Sequence, residues 1–310
     1  MGHSSVGAPL GAGAALGTVR LDGTPVYRYR QRPGAPAVSV IRFDGAAHAG
    51  LPPNHRHAHD FLTLVYVEEG AGSVVIDGTE RPLRAGDVHA VSPGQVIEAA
   101  AVAELAGGRA WAVAFLPDAV PALASVSPLA WAHQPLLALF APGAGYGRVA
   151  APDRAAWSAW AAELAAELAD PGRLGAHEAA AAALTRLLVA AARLAPAAPG
   201  APDPLVEQVF AEIEAVFREP VSASDVARAL GYTPGHLTTV LRRRTGRPLL
   251  EWITERRMIE VRRMLRETDL PLDAVAARAG LRDAAYLVRR FRGRYGITPQ
   301  RWRRAERAWP

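Results

Sequence analysis

The sequence predicts an α+β multidomain protein: an N-terminal β-barrel with a helical hairpin behind it, then an all-α domain carrying two helix-turn-helix units in tandem. Three observations predict this. Up to about residue 125 the chain breaks into short alternating stretches parted by Gly turns. Residues 126–195 change to helical periodicity, and residues 205–304 carry one helix–glycine–helix pattern twice. The expected divisions are a flexible start at 1–17, the barrel at 18–125, the helical element at 126–195, a linker at 196–204, the tandem domain at 205–304 and a tail at 305–310.

At 310 residues the chain has room for two or so separate cores. With 50% hydrophobic and 21% charged residues it has the make-up of an ordinary globular protein. All 35 basic residues are Arg, and Ala, Gly and Pro abound, so Ala-rich runs carry less structural information than usual. The absence of Cys excludes disulfides, cysteine metal sites and thiol catalysis. No uncharged apolar run reaches the ~18 residues of a membrane span, and the first residues lack the basic region of a signal peptide. A cytoplasmic protein with no membrane partner is expected. The net charge of +5 is uneven: 203–310 holds 21 Arg against 14 acidic residues, whereas 1–202 holds 14 against 16. The basic excess sits on the repeats, as attraction to DNA requires.

In chain order, Thr18 to Arg30 and Ala37 to Phe43 alternate as half-buried strands do. From Leu51 to Gln95 short strands are parted by Gly-containing turns, and Asp77-Gly78 signals a hairpin. Val96 to Leu105 and Arg109 to Leu116 read as further strands. A barrel of this size can hold one small ligand among apolar walls and a few polar groups. The candidate pocket residues are His57, His59, Thr63, Tyr66, Trp111 and Arg28. Alternation aims Phe61, Thr63 and Val65 one way and Leu62, Leu64 and Tyr66 the other, leaving open which set faces inward. Core packing is the competing role for each aromatic.

Pro152-Asp153 opens a helix in which Trp157, Trp160, Leu164 and Leu168 recur at three- and four-residue steps. Asp170-Pro171-Gly172 stops it. A second helix from Ala176 to Leu194 places Leu184, Leu187, Leu188 and Leu194 on one face. Two readings stand: the pair covers the barrel, or its tryptophan stripe forms a dimer interface. From 195 to 204 four prolines in ten residues make a semi-rigid spacer.

Ser222 is suited to an N-cap, and Val226, Ala227 and Leu230 are the apolar positions of a short helix that Gly231 breaks. Thr233-Pro234 starts the next helix, with Leu237, Val240 and Leu241 on its buried stripe and Arg242, Arg243 and Arg244 within reach of phosphates. Val275, Ala276 and Gly280 repeat the spacing of Val226, Ala227 and Gly231, and 283–295 supplies a second candidate recognition helix. The helix joining the two, Pro248 to Arg266, spans roughly 28 Å, short of the ~34 Å between successive major grooves on one face of straight DNA. Bending or unequal engagement is therefore expected. Its Arg256, Arg257, Arg262 and Arg263 are expected in solvent or facing phosphates.

Residues 205–304 resemble the DNA-binding domain of the AraC/XylS family of bacterial transcription regulators, and GLRDAAYLVRRFRGRYGITPQRWR matches its signature stretch. Leu281 and Leu287 stand where the family usually has Phe, a swap that alters packing alone. Carried over position by position, the resemblance implies base-edge contacts from Gly235, Thr238 and Thr239, with His236 and Arg242 to Arg244 on the DNA backbone. For the second helix it implies Ala284, Ala285, Val288 and Arg289 at base edges and Arg292 on the backbone, with Arg289 best suited to a guanine.

Residues 50–94 resemble a cupin barrel of the kind such regulators carry as a sensor, through His57-x-His59, Gly70, Gly86-Asp87 and Pro93-Gly94. Metal-binding cupins add a Glu after the His pair and a third His after the Pro-Gly turn; here those places hold Thr63 and, near Ile97, no histidine. Two His, with His55, His89 or Glu98 unaligned, fall short of the three or more ligands a catalytic metal needs. No metal or other cofactor is expected. Histidines satisfied by hydrogen bonds, or contacting an organic effector, are the competing readings. Two amphipathic helices after a cupin resemble the family's dimerisation element, which favours the stripe Trp157, Trp160, Leu164 and Leu168.

Together the resemblances imply a sequence-specific DNA-binding transcription regulator, not an enzyme. Its implied partners are double-stranded DNA, an unidentified small-molecule effector, a second copy in a homodimer and, among other proteins, RNA polymerase. Two alternatives stay open: a metal-dependent cupin enzyme fused to a DNA-binding domain, and a constitutive DNA-binding protein with a non-sensing barrel.

Overall fold

The computed structural model describes residues 14–19, 22–30, 35–44, 55–99, 108–124, 126, 134–141, 143–196, 203–245, 247–295 and 297–307. Most of the expected flexible start, the proline-rich 197–202, the far end of the expected strand at 96–105 and the last tail residues lie outside them. The chain divides into a unit of strands with a helical hairpin and a unit of helices from Pro204 onward.

The first unit contains β1 (Ala14–Val19), β2 (Pro25–Tyr29), β3 (Val38–Phe43), β4 (His55–His59), β5 (Leu62–Glu69), β6 (Ser73–Ile76), β7 (Thr79–Pro82), β8 (Asp87–Val91), β9 (Val96–Ala99), β10 (Arg109–Phe115) and β11 (Tyr146–Arg148). They form two sheets, ordered β1-β2-β4-β9-β6-β7 and β11-β8-β5-β10-β3. Two expectations need correcting. β1 begins at Ala14, inside the stretch expected to be flexible, because backbone pairing with β2 requires no large side chains. β11 lies within the stretch expected to be helical; three residues paired to β8 are too short for a period to show. The Asp77-Gly78 turn closes the β6–β7 hairpin with φ of 49° and 75°, the left-handed pair a two-residue turn demands.

The second sheet is covered on both sides, so β5, β8 and β10 are buried almost throughout. α1 (Arg154–Ala169) packs on β3 and β5, and α2 (Ala176–Ala192) packs on α1 with Leu184, Leu187 and Leu188 buried. Asp87, fully buried, holds β11 in place by accepting from Tyr146 Oη at 2.9 Å and Arg148 Nε at 2.8 Å.

The second unit contains α3 (Pro204–Val216), α4 (Ala223–Ala229), α5 (Pro234–Thr245), α6 (Leu249–Glu267), α7 (Leu272–Arg278), α8 (Ala284–Tyr295) and α9 (Pro299–Arg307). Ser222 and Asp225 form a reciprocal capping box at the start of α4. The two turns repeat in detail. Gly231 and Gly280 have φ of 76° and 68°, and the amides of Tyr232 and Leu281 each donate to the carbonyls of Ala227 and Ala276 at 2.9 Å. Both alanines are fully buried, as close helix approach requires.

α6 is the beam between the repeats. Leu249, Trp252 and Ile253 enter the core of the first, and Met258, Val261, Met264 and Leu265 enter the core of the second. Two of its arginines overturn the expectation of solvent or phosphate contact, since Arg256 and Arg257 are buried. Arg256 makes a bidentate pair with Glu214, Nε–Oε2 2.8 Å and Nη2–Oε1 2.8 Å, and lies 3.8 Å over the Phe217 ring. Arg257 donates to three carbonyls, Phe217 at 2.8 Å, Glu219 at 2.7 Å and Val221 at 3.1 Å. The physical reason is the end of α3 and the turn after it: the carbonyls of Phe217, Glu219 and Val221 belong to no helical ladder, and a fork of guanidinium donors serves all three at once. Arg262 is half-buried beside Tyr295 and Trp302, and Arg263 pairs with Glu260 at 2.9 Å.

Candidate functional site

The helical unit presents two 12-residue helices, α5 and α8, each held by an apolar side and bare on the other. Leu237 and Leu241 fix α5; Leu287 and Phe291 fix α8, all fully buried. On α5 the exposed positions include Gly235, His236, Thr239, Arg242, Arg243 and Arg244, with Thr238 half-buried. Arg244 is ion-paired with Asp203, which also caps α3 through the Leu205 amide at 3.0 Å. On α8 Ala285, Arg289 and Arg292 are exposed, and Ala284 and Val288 are half-buried.

Two aromatic residues on this surface escaped the sequence reading. Tyr232, exposed, stacks on His236 with ring centroids 5.8 Å apart and planes 17° apart. Tyr286, half-buried, has the guanidinium carbons of Arg282, Arg289 and Arg290 at 5.7, 5.9 and 5.4 Å from its ring centroid. The missed signal was spacing: Tyr232 and His236, like Tyr286 and Arg290, stand four residues apart.

In the strand unit the six candidate pocket residues separate. His57, His59 and Thr63 stay together: the His rings are 6.3 Å apart, and Thr63 Oγ1 lies 3.4 Å from His59 Nε2. His59 Nδ1 donates to the Phe61 carbonyl at 2.7 Å, fixing the tautomer that leaves Nε2 an acceptor. Burial pushes the His59 imidazole down to about 4, outweighing the opposite pull of the Phe61 carbonyl and Asp60, so the ring is neutral near pH 7. Tyr27 meets His57 edge-on at 5.9 Å, and Phe61 stacks on His59 at 4.5 Å.

Tyr66, Trp111 and Arg28 do not join this group. Tyr66 and Trp111 are register partners, and Tyr66 Oη donates to the Arg154 carbonyl of α1 at 3.0 Å. Trp111 Nε1 donates to Glu68 at 2.7 Å under the Arg42 guanidinium. They belong to the opposite face of β5 from Thr63, because alternate side chains of a strand point apart. Arg28 alternates with the buried Tyr27 and Tyr29 and is partly exposed, 3.9 Å from Asp60. Alternation separated Thr63 from Tyr66 but left open which set faces inward, because neighbouring residues of β5 are buried on both faces.

The tryptophan stripe of α1 also divides. Trp157 and Leu164 are buried within the chain, Trp157 against Tyr66 at 5.4 Å, so neither is free to form an interface core. Trp160 and Leu168 remain half-buried, with Arg186 6.0 Å from the Trp160 ring. Among the described residues no group of three or more His, Cys, Asp or Glu is placed to hold a metal.

Residues 46–188 match the AraC-like ligand binding domain, and residues 226–305 match a helix-turn-helix domain. The chain is 30% identical to the HTH-type transcriptional activator AarP of Providencia stuartii over 99 residues, 32% of this chain and 73% of that protein. The chain belongs to the AraC family of transcription regulators. It is similar too to the multiple antibiotic resistance protein MarA of Escherichia coli, 28% identical over 32% of this chain and 77% of MarA. A solved structure, the DNA-binding domain of AdpA in complex with a target DNA, is 30% identical with a TM-score of 0.32, covering 34% of this chain and 95% of that one. The AraC-type assignment accounts for both units: a ligand-binding β domain followed by a DNA-binding helical one.

Proposed function

We infer that this regulator reads duplex DNA through α5 and α8 under the control of a small organic effector held by the β domain. The observation that carries the reading is the repeated geometry: two helices of equal length, each following the same glycine turn, each with its polar side bare. Base edges fall to Gly235, Thr238, Thr239, Ala284, Ala285, Val288 and Arg289, and the DNA backbone to His236, Arg242, Arg243, Arg244 and Arg292. The effector site centres on His57, His59 and Thr63, where a neutral imidazole acceptor beside aromatic rings suits a hydroxyl or amide donor on an otherwise apolar molecule.

A homodimer through the outer side of α1, with Trp160 and Leu168, completes the proposal. Work on DNA supports a cytoplasmic location, and the role of AarP as a transcriptional activator supports RNA polymerase as a partner. The relatives act as regulators, which supports a binding protein over an enzyme. Selection of genomic DNA fragments by the purified full chain tests the DNA reading; recovery of no preferred sequence overturns it. Thermal-shift screening against small organic compounds tests the effector site, since a ligand bound to the folded form alone raises the melting temperature.

A further inference from the structure

Three arginines around one phenol ring is a costly arrangement unless something negative is meant to meet it. Arg282, Arg289 and Arg290 are exposed, and their guanidinium carbons lie 5.7, 5.9 and 5.4 Å from the Tyr286 centroid. Like charges this close repel, and among the described residues the carboxylate paired with the cluster is Asp283, 2.8 Å from Arg282 Nε. The Tyr286 ring offsets part of the repulsion, because its π faces attract cations within about 6 Å. Its hydroxyl adds a fixed point, accepting from Arg290 Nε at 3.0 Å.

The ring itself does not move freely. It packs on the core formed by Leu287, Phe291 and their neighbours, and its amide donates to Asp283 at 2.6 Å as the first turn of α8 begins. An anchored aromatic post thus holds a surplus of positive charge at the opening of the helix. α5 offers no such cluster in its first two turns: there Tyr232 stacks on an imidazole, and arginines enter only at Arg242.

We propose that Tyr286 organises Arg282 and Arg290 into a phosphate clamp on duplex DNA, beside the base-facing Arg289. The proposal rests on the DNA-binding reading above. Tyr286 acts here as a positioning residue, and the arginines make the contacts. Phosphate neutralisation releases counterions, so the clamp is legible in the slope of log K against log salt, independently of any operator sequence.

The test measures binding of the full chain to a mixed-sequence DNA duplex between about 50 and 200 mM salt. Arg290→Gln and Tyr286→Leu are each expected to flatten the slope by about 1, the share of one phosphate. Tyr286→Phe, which keeps the ring, retains most of the slope, and Arg266→Gln on α6 leaves it unchanged. A wild-type slope in Arg290→Gln, or a Tyr286→Phe slope as flat as that of Tyr286→Leu, overturns the clamp. Should Tyr286→Leu fail to fold, the Arg290→Gln result decides alone. Absence of any DNA binding by the unaltered chain is a different result, and it overturns the function instead.

Discussion

Arg257 Nε of α6 donates to the Phe217 carbonyl at the end of α3, 2.8 Å away. The same guanidinium collects Glu219 and Val221, so one side chain satisfies three acceptors between the repeats. Arg257→Leu removes all three bonds and leaves the carbonyls under apolar cover. A loss of about 3 kcal/mol or more is expected in denaturant unfolding of the helical unit. A loss below about 1 kcal/mol would mean that water takes over the carbonyls.

The two turn glycines separate conformational from steric need. At Gly231 an added Cβ meets nothing within 4 Å, so Gly231→Ala carries only the strain of a left-handed φ, about 1 kcal/mol. At Gly280 the Cβ would lie 2.4 Å from the Phe217 carbonyl oxygen, a backbone atom that cannot step aside. Gly280→Ala is expected to destabilise several times more and to weaken DNA binding. Equal melting temperatures for the two variants would refute this account.

Arg289 and Arg243 are both exposed, but Arg289 lies in the middle of α8 and Arg243 in the last turn of α5. Arg289→Ala is expected to relax sequence preference by about 1–3 kcal/mol at one base position. Arg243→Ala should weaken every site alike. Competition binding against a panel of single-base variants measures the difference, and identical profiles would reverse the assignment.

The neutral His59 makes the β domain sensitive to acid. Burial lowers its imidazole to about 4 from an ordinary value of 6.5. The unfolded chain therefore takes up a proton first, and stability present above pH 6.5 is lost as pH falls towards 4. The loss from this one group is about 3 kcal/mol across that window. His59→Asn should melt with a shallower pH dependence there; an unchanged dependence assigns the acid sensitivity to other groups, such as His89, which burial also lowers to about 4.

Trp157 and Trp160 should part company. Trp157→Ala opens a hole against Tyr66 and is expected to cost about 3–5 kcal/mol of stability, with little direct effect on assembly. Trp160→Ala is expected to weaken self-association while leaving the fold intact. Sedimentation velocity measures this, and unchanged association would rule out Trp160 as an interface residue.

The helical unit was the more legible part of the sequence. Glycine turns, small residues at Ala227 and Ala276 and a capping serine act locally, so spacing alone exposes them. Arg256 and Arg257 were misread because charge normally means solvent, and only the end of α3, forty residues away, reveals the acceptors they serve. Within the β domain the Asp77-Gly78 turn was plain, whereas the faces of β5 were not. Alternation informs only when one side of a strand is wet, and Thr63 and Tyr66 are both almost fully covered. Trp157 showed the converse problem: a helical stripe says that something covers it, not whether the cover comes from the same chain.

The guanidinium beneath the end of α3 keeps its charge at any acidity a cell reaches, and its seat is shielded from dissolved ions. The outward-facing arginines enjoy no such shelter. Changes in salt can thus loosen or tighten the hold on DNA while the gauge separating the two reading heads stays constant.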